Sequence, residues 1–226
     1  MRDTLQDGVR VITLAREPMN TLDRAAVDAL SGQFANHPHD LPLVIEGAGS
    51  VFSAGVDARA FEGYSGPERL GLARAITQMT AHLLAIQAPV VAAMTGHALG
   101  GGLVLALCCD YRIAPNTPKA KFGLLEAKAG IAFPSGPARI VQSELPAPLL
   151  RQLTLSCNTL SASDLVQQYV FDELAEPDQV RALAYLKALE LAALPGFRAV
   201  KAQIRGGLAA DVRDLARLGQ ESAFGA

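Results

Sequence analysis

Two glycine-bearing loops and a later glutamate are the places where this sequence can do chemistry. The first loop is Phe52-Ser53-Ala54-Gly55-Val56-Asp57, and the second is Gly96-His97-Ala98-Leu99-Gly100-Gly101-Gly102. Each joins a strand region to a helix, and its small residues leave backbone N–H groups unshielded. Three consecutive glycines at the head of an apolar helix put free amides at the positive end of the helix dipole, where negative charge is stabilised. The same glycines equally suit close packing of that helix against a neighbour, and the first loop taken alone is an ordinary turn signal. A phosphate loop is excluded, because the second loop has neither a Gly-Lys-Ser/Thr ending nor G-x-G-x-x-G spacing. If the loops converge, two amides aimed at one carbonyl oxygen make an oxyanion hole, in which loss of one donor typically costs about 10²–10³ in rate.

The elements that must position these loops read as strands and helices in alternation. Residues 9–14 are β-branched and weakly alternating, and 43–46 form a second short apolar run, so both are predicted strands. Residues 21–34 follow helical spacing. In 67–87, Leu70, Ala73, Ile76, Met79, Leu83 and Ile86 make one stripe that Pro89 terminates. Residues 90–94 have the continuous apolar character of a strand buried on both faces, and 103–109 continue the apolar helix opened by the glycines. Residues 111–114 and 121–124 are further strand candidates. Helix is expected from Pro134, and from Pro148 onward the chain reads mainly as helices, among them 178–194 and 197–206. No linker or repeat divides the chain, so it is expected to fold as one integrated α/β domain.

Composition narrows the function. Half of the 226 residues are hydrophobic and 19% are charged, which suits a packed core. Basic residues number 20 against 22 acidic ones, with no basic run, so neither nucleic acid nor an anionic membrane is an expected partner. The three cysteines, Cys108, Cys109 and Cys157, read as small hydrophobes of a reducing cytosol, and no metal site is expected. Residues 1–8 lack the pattern of an export signal. The apolar stretch 88–109 is interrupted by Pro89, Thr95, His97 and glycines, so it fails as a membrane span and the cytoplasm is the expected compartment. His97 is expected to be a loop histidine bonded to backbone. Asp57 and Asp110 are expected to cap or fix loops, and His37 and His39, flanking Pro38, to lie on the surface.

Taken with Cys109-Asp110-Tyr111-Arg112-Ile113-Ala114 and Phe122-Gly123-Leu124-Leu125-Glu126, the two loops give an order and spacing that resemble the crotonase (enoyl-CoA hydratase/isomerase) family, from the first strand to about Leu160. The resemblance implies a ββα spiral core over 1–160 that binds and transforms an acyl-CoA thioester. It also implies a helical region over 161–226 for oligomer contacts, in a homotrimer or a dimer of trimers. Coenzyme A would be part of the substrate, with no separate cofactor. By position, the oxyanion amides would be those of Val56 and Gly101, and Ser53, Ala54, Asp57, Gly100 and Leu125 would meet the substrate. Family hydratases hold a water between two glutamates; here the first position is Val104 and the second is Glu126. A single carboxylate suits removal of a proton from one carbon and its return to another. The segment therefore looks closer to the Δ3,Δ2-enoyl-CoA isomerases, with Glu126 as base and acid and its pKa raised by Leu124, Leu125 and Ile131. The alternatives are enoyl-CoA hydration, acyl-CoA hydrolysis, or a non-catalytic acyl-CoA-binding subunit.

Overall fold

The computed structural model describes residues 1–221, so the end of the expected C-terminal region, 222–226, lies outside the described residues. The chain opens with a hairpin, β1 (Arg2–Gln6) and β2 (Val9–Leu14), followed by α1 (Arg24–Ala35). Three ββ units then each place one strand in each of two sheets. The first is β3 (Leu43–Gly47) and β4 (Val51–Ser53), followed by α2 (Ala58–Glu62) and α3 (Gly66–Leu84). The second is β5 (Val90–Ala93) and β6 (His97–Leu99), followed by α4 (Gly101–Cys108). The third is β7 (Tyr111–Pro115) and β8 (Phe122–Gly123), followed by α5 (Ser135–Glu144). The remainder is α6 (Ala147–Thr154), β9 (Thr159–Leu160), α7 (Ala162–Gln167), β10 (Glu173–Ala175), α8 (Val180–Ala192) and α9 (Phe197–Leu218). This is the α/β ββα spiral with a helical C-terminal region.

The larger sheet has the order β1-β2-β3-β5-β7-β10 and the smaller β4-β6-β8-β9. In the larger sheet only β1 pairs antiparallel. Its central strands are covered on both faces, as parallel strands require. Leu43, Ile45, Val90 and Ala92 face the main core, while Val44, Val91, Ala93 and Ile113 face a second core closed by Val180, Ala184 and Ala188 of α8. Period-two alternation thus survives inside runs that look uniformly apolar.

The smaller sheet positions the site. Strands β4, β6 and β8 run parallel, with Ser53 opposite Ala98 and Ala98 opposite Phe122. Because the three strands point the same way in this register, the segments that leave them emerge along one edge. Those segments are Ala54–Val56, Gly100–Gly101 and Leu124–Glu126.

The structure departs from the expected elements where tertiary contacts outweigh local signal. The first strand was not expected, and every residue of it is exposed. Strands β9 and β10 interrupt the C-terminal region that reads as mainly helical. The final helix runs through Gly206 and Gly207 to Leu218, with Leu208 and Val212 buried along it.

Candidate functional site

The two glycine loops meet. Leu22 and the Gly55–Asp57 turn are tied by Leu22 N–H to the Gly55 carbonyl at 2.8 Å and Asp57 N–H to the Leu22 carbonyl at 3.1 Å. A β-carbon added at Gly55 would sit 2.7 Å from the Gly101 nitrogen, and one added at Gly101 would sit 3.9 Å from the Val56 nitrogen. Among the described residues, no hydrogen bond takes up the amide of Val56 or of Gly101. Gly101 is the first residue of α4, where no intrahelical carbonyl reaches its N–H. The two readings of the glycine run are both realised. Gly102 packs so closely on the backbone that its β-carbon would lie 2.2 Å from the Ser53 carbonyl oxygen, while Gly101 keeps its donor free.

Gly100 caps α4 at φ 51° and ψ −127°, a conformation that costs a side-chain-bearing residue strain. Its N–H donates to the Gly123 carbonyl at 2.9 Å, holding the turn to β8. A β-carbon there would also stand 3.2 Å from Oε1 of Glu126, so the carboxylate rests directly over this loop.

Glu126 is fixed by a turn in which the N–H groups of Ala129 and Ile131 donate to its carbonyl at 3.0 and 2.9 Å. Among the described residues its Oε2 is out of contact with solvent and has no hydrogen-bond partner. Burial of the charged form pushes its pKa up from 4.5 to about 7, opposed only in part by its own backbone N–H. It stands in a cavity of about 140 Å³, whose lining includes Ala54, Val56, Gly100, Gly101, Val104 and Leu125. Val104 is 2% exposed, so an apolar side chain fills the position where a second carboxylate would be needed to hold a water. The opportunity is for a proton to move on and off carbon beside a carbonyl whose oxygen faces two amides.

Of the expected site residues, the fold brings Ala54, Val56, Gly100, Gly101, Leu125 and Glu126 to this cavity, and it does not bring Ser53 or Asp57 to the lining. Ser53 is fully buried; its hydroxyl donates to the Asn20 carbonyl at 2.8 Å and accepts from Gly55 N–H at 3.1 Å. Its work is to shape the loop that presents Val56. Asp57 caps α2 by accepting from Ala60 N–H at 3.1 Å, and it also accepts from Thr21. Those bonds hold its carboxyl below the usual carboxylate range. His97 Nδ1 accepts from Lys121 N–H at 3.0 Å, which is a loop role. His37 corrects the expectation of a surface residue: it is 7% exposed and bonded to Leu41 O and Arg10, and burial lowers its pKa. His39 is exposed.

Two groups of residues escaped the sequence reading. The first is the far apolar wall of the cavity, Ile76, Phe133, Pro134 and Pro137, supplied by α3 and the start of α5. The second is a buried charge chain at the other end of α4. Asp110 pairs with Lys201 at 2.6 Å and Arg205 at 3.0 Å, Arg205 pairs with Glu144 at 3.1 Å, and Glu144 pairs with Arg112. The two guanidiniums also donate to the carbonyls of Ala106, Leu107, Cys108 and Cys109, closing the C-terminus of α4 with positive charge. The Asp-x-Arg spacing of residues 110–112 was visible, but its partners on α5 and α9 are remote in sequence.

Comparison with known proteins agrees with this fold. The family model described as enoyl-CoA hydratase/isomerase matches residues 4–219. The probable enoyl-CoA hydratase EchA17 of Mycobacterium tuberculosis is 32% identical over 184 residues, covering 79% of this chain and 69% of that protein. A peroxisomal fatty acid beta-oxidation multifunctional protein of Oryza sativa subsp. japonica is 30% identical over 82% of this chain and 26% of its own length. Among solved structures, an apo enoyl-CoA isomerase of Mycobacterium tuberculosis superposes with a TM-score of 0.86 at 27% identity, covering 96% of each chain. Pseudomonas aeruginosa DspI gives 0.84 at 26% identity, over 91% of this chain and 80% of that one. The chain belongs to the enoyl-CoA hydratase/isomerase family.

Proposed function

We propose that the chain is a Δ3,Δ2-enoyl-CoA isomerase that works through Glu126 alone. The carboxylate takes a proton from C2 of a 3-enoyl thioester, and the electron pair spreads into the thioester carbonyl and the adjacent double bond. The amides of Val56 and Gly101 hold the oxygen of this dienolate. Glu126 then returns the proton to C4, leaving a 2-enoyl thioester with no atom gained or lost. The observation that carries this reading is a lone carboxylate whose Oε2 has no hydrogen-bond partner among the described residues and whose pKa is near 7, facing an otherwise apolar lining. A group half ionised near neutrality serves both as base and as acid. Hydration asks for a second polar group to hold the attacking water, and buried Val104 offers none.

In this reading Ala54, Gly100 and Leu125 touch the substrate, while Ser53 and Asp57 act from behind the loop. No cofactor is required beyond the coenzyme A of the substrate. A homotrimer or dimer of trimers belongs to the same proposal, supported by Leu194, just before α9, and Val200 and Ile204, at its start, which are 51%, 50% and 76% exposed.

The test is product analysis with 3-enoyl-CoA and 2-enoyl-CoA supplied separately. The expected result is conversion of the first to the second at unchanged mass. Faster gain of one water by the 2-enoyl ester would replace this reading with hydration, the activity that the description of EchA17 carries. Release of free coenzyme A would replace it with hydrolysis, and binding without turnover with a non-catalytic role.

A further inference from the structure

Beyond α9 the chain turns at Gly219, whose carbonyl accepts from Arg74 Nε at 2.9 Å, and Glu221 reaches back between α3 and α5. Its Oε1 accepts from the Thr77 hydroxyl at 2.7 Å and the Ser135 hydroxyl at 2.9 Å, and its Oε2 accepts from Ser135 N–H at 2.6 Å. Gly136 N–H donates to Thr77 Oγ1 at 3.2 Å and closes the circuit. Thr77 is fully buried.

The start of α5 needs such an acceptor. Its N-cap position is Pro134, which makes no side-chain cap, so the first-turn amides must find a partner elsewhere. Glu221 supplies a negatively charged one from 86 residues away in the chain. The clamp is placed on the cavity wall itself. Ile76 precedes Thr77, Phe133 and Pro134 precede Ser135, and Pro137 follows Gly136, and these four apolar residues line the cavity. The helices are also in close contact here, since a β-carbon on Gly136 would lie 3.0 Å from both Thr77 Cγ2 and Thr80 Oγ1. With the carbonyl and reacting carbons assigned to Val56, Gly101 and Glu126, this wall, beside Leu99, Ala129 and Ile131, is left to receive the acyl chain beyond C4.

We infer that Glu221 is a positioning residue for the acyl chain. By clamping the start of α5 to α3 it fixes the spacing of the apolar wall, and so sets how strongly a long acyl chain is preferred over a short one. The inference rests on the acyl-CoA reading of the site. Its energetic origin is preorganisation: a wall already held in place does not have to be ordered when the chain binds.

The experiment measures calorimetric binding of acetyl-CoA and octanoyl-CoA, neither of which has a double bond to move, to the parent, Glu221→Ala and the isosteric Glu221→Gln. In Glu221→Ala the ratio of octanoyl-CoA to acetyl-CoA affinity is expected to fall about tenfold, with a smaller fall in Glu221→Gln. Amide exchange at Ser135 and Gly136 should accelerate in the same order. With 3-enoyl substrates of increasing length, the loss should appear in KM rather than kcat. An unchanged affinity ratio, equal weakening of both esters, or unchanged exchange at Ser135 and Gly136 overturns the inference and leaves the acyl-CoA reading standing. Parent protein that binds neither ester sinks the acyl-CoA reading and the inference with it. Failure of both variants to fold would make Glu221 a residue of the fold, not of the acyl chain, and would also overturn the inference.

Discussion

Replacing Glu126 by Gln should remove activity and at the same time abolish a pH dependence of stability. The native carboxyl has a pKa of about 7 against 4.5 for the free group. Between those values the native state holds a proton that the unfolded chain has released, so native stability declines as pH rises through that window. Below pH 4.5 both states are protonated and the penalty is absent; above about 7 it is complete. At roughly 1.4 kcal/mol per pKa unit, the full penalty is about 3 kcal/mol. In a chain of this size that corresponds to about 6–12 °C in Tm. A glutamine does not titrate, so the difference in Tm between variant and parent should climb by about that amount from pH 4.5 to pH 8, whatever constant offset the amide introduces. The assay is thermal melting of both proteins across that range, beside isomerase rates at each pH. Parent kcat/KM should rise with pH and level off above about 7, because the ionised form is the base. The variant should lose about 10²–10⁴ in rate. A Tm difference that stays flat with pH would refute the burial argument, and undiminished turnover would refute the assignment of Glu126 as base.

Two further perturbations probe what supports that group. Gly100→Ala forces a β-carbon into a φ of 51° and to 3.2 Å from Glu126 Oε1, and should cost about 1–3 kcal/mol in urea unfolding while lowering kcat/KM far more than the stability loss implies. An activity loss no greater than the loss of folded protein would count against the contact between this loop and the carboxylate. Arg112→Leu strips donors from the carbonyls of Ala106, Leu107, Cys109 and Val170 and leaves Glu144 with Arg205 alone, so urea unfolding should show about 3–5 kcal/mol of destabilisation. A cost below about 1 kcal/mol would mean that the pair is solvated like a surface ion pair.

The strands of the larger sheet were legible because they are short apolar runs with turn residues between them, as at Val90–Ala93, where all four residues are buried, whereas β4 and β6 of the smaller sheet fall within the segments that read as loops. The edge strand Arg2–Gln6 was not, since a polar strand exposed along its whole length carries no alternation to read. The glycine pair at 206–207 looked like a helix end. Nothing lies within 4 Å of where their β-carbons would be, and burial of Leu208 and Val212 carries the helix past a cost of about 1 kcal/mol for each glycine. The carboxylate of Glu126, the proposed base, was legible only through the joint spacing of several motifs. Its immediate neighbours, residues 127–130, are exposed, and its burial comes from a loop more than twenty positions earlier in the chain. The apolar wall on α3 and α5 was invisible for a different reason. Ile76 belongs to the same helical stripe as the core residues Ala73 and Met79, and periodicity does not distinguish a residue facing a cavity from one facing a neighbour.

The helix α4 shows how the fold maintains a site that works against its own stability. Among the described residues its first amide, Gly101, is left without a protein partner at the edge of the cavity, close to a carboxylate whose Oε2 is also without one. Leaving such groups unpaired costs about 1–3 kcal/mol each, so a short helix with nothing else to hold it would turn or fray to satisfy them. The compensation lies at its other end. Arg112 and Arg205 donate to four consecutive carbonyls there, and they are themselves held by Glu144 and Asp110, the second of which is also paired with Lys201. Seven of the eight residues of α4 are also buried among apolar neighbours. The helix is therefore overdetermined at its carboxyl end and along its flanks, which is what permits its amino end to remain unsatisfied until a substrate oxygen arrives. The charge chain that joins α9 to α4 is in this sense part of the proposed oxyanion hole, although none of its side chains lines the cavity.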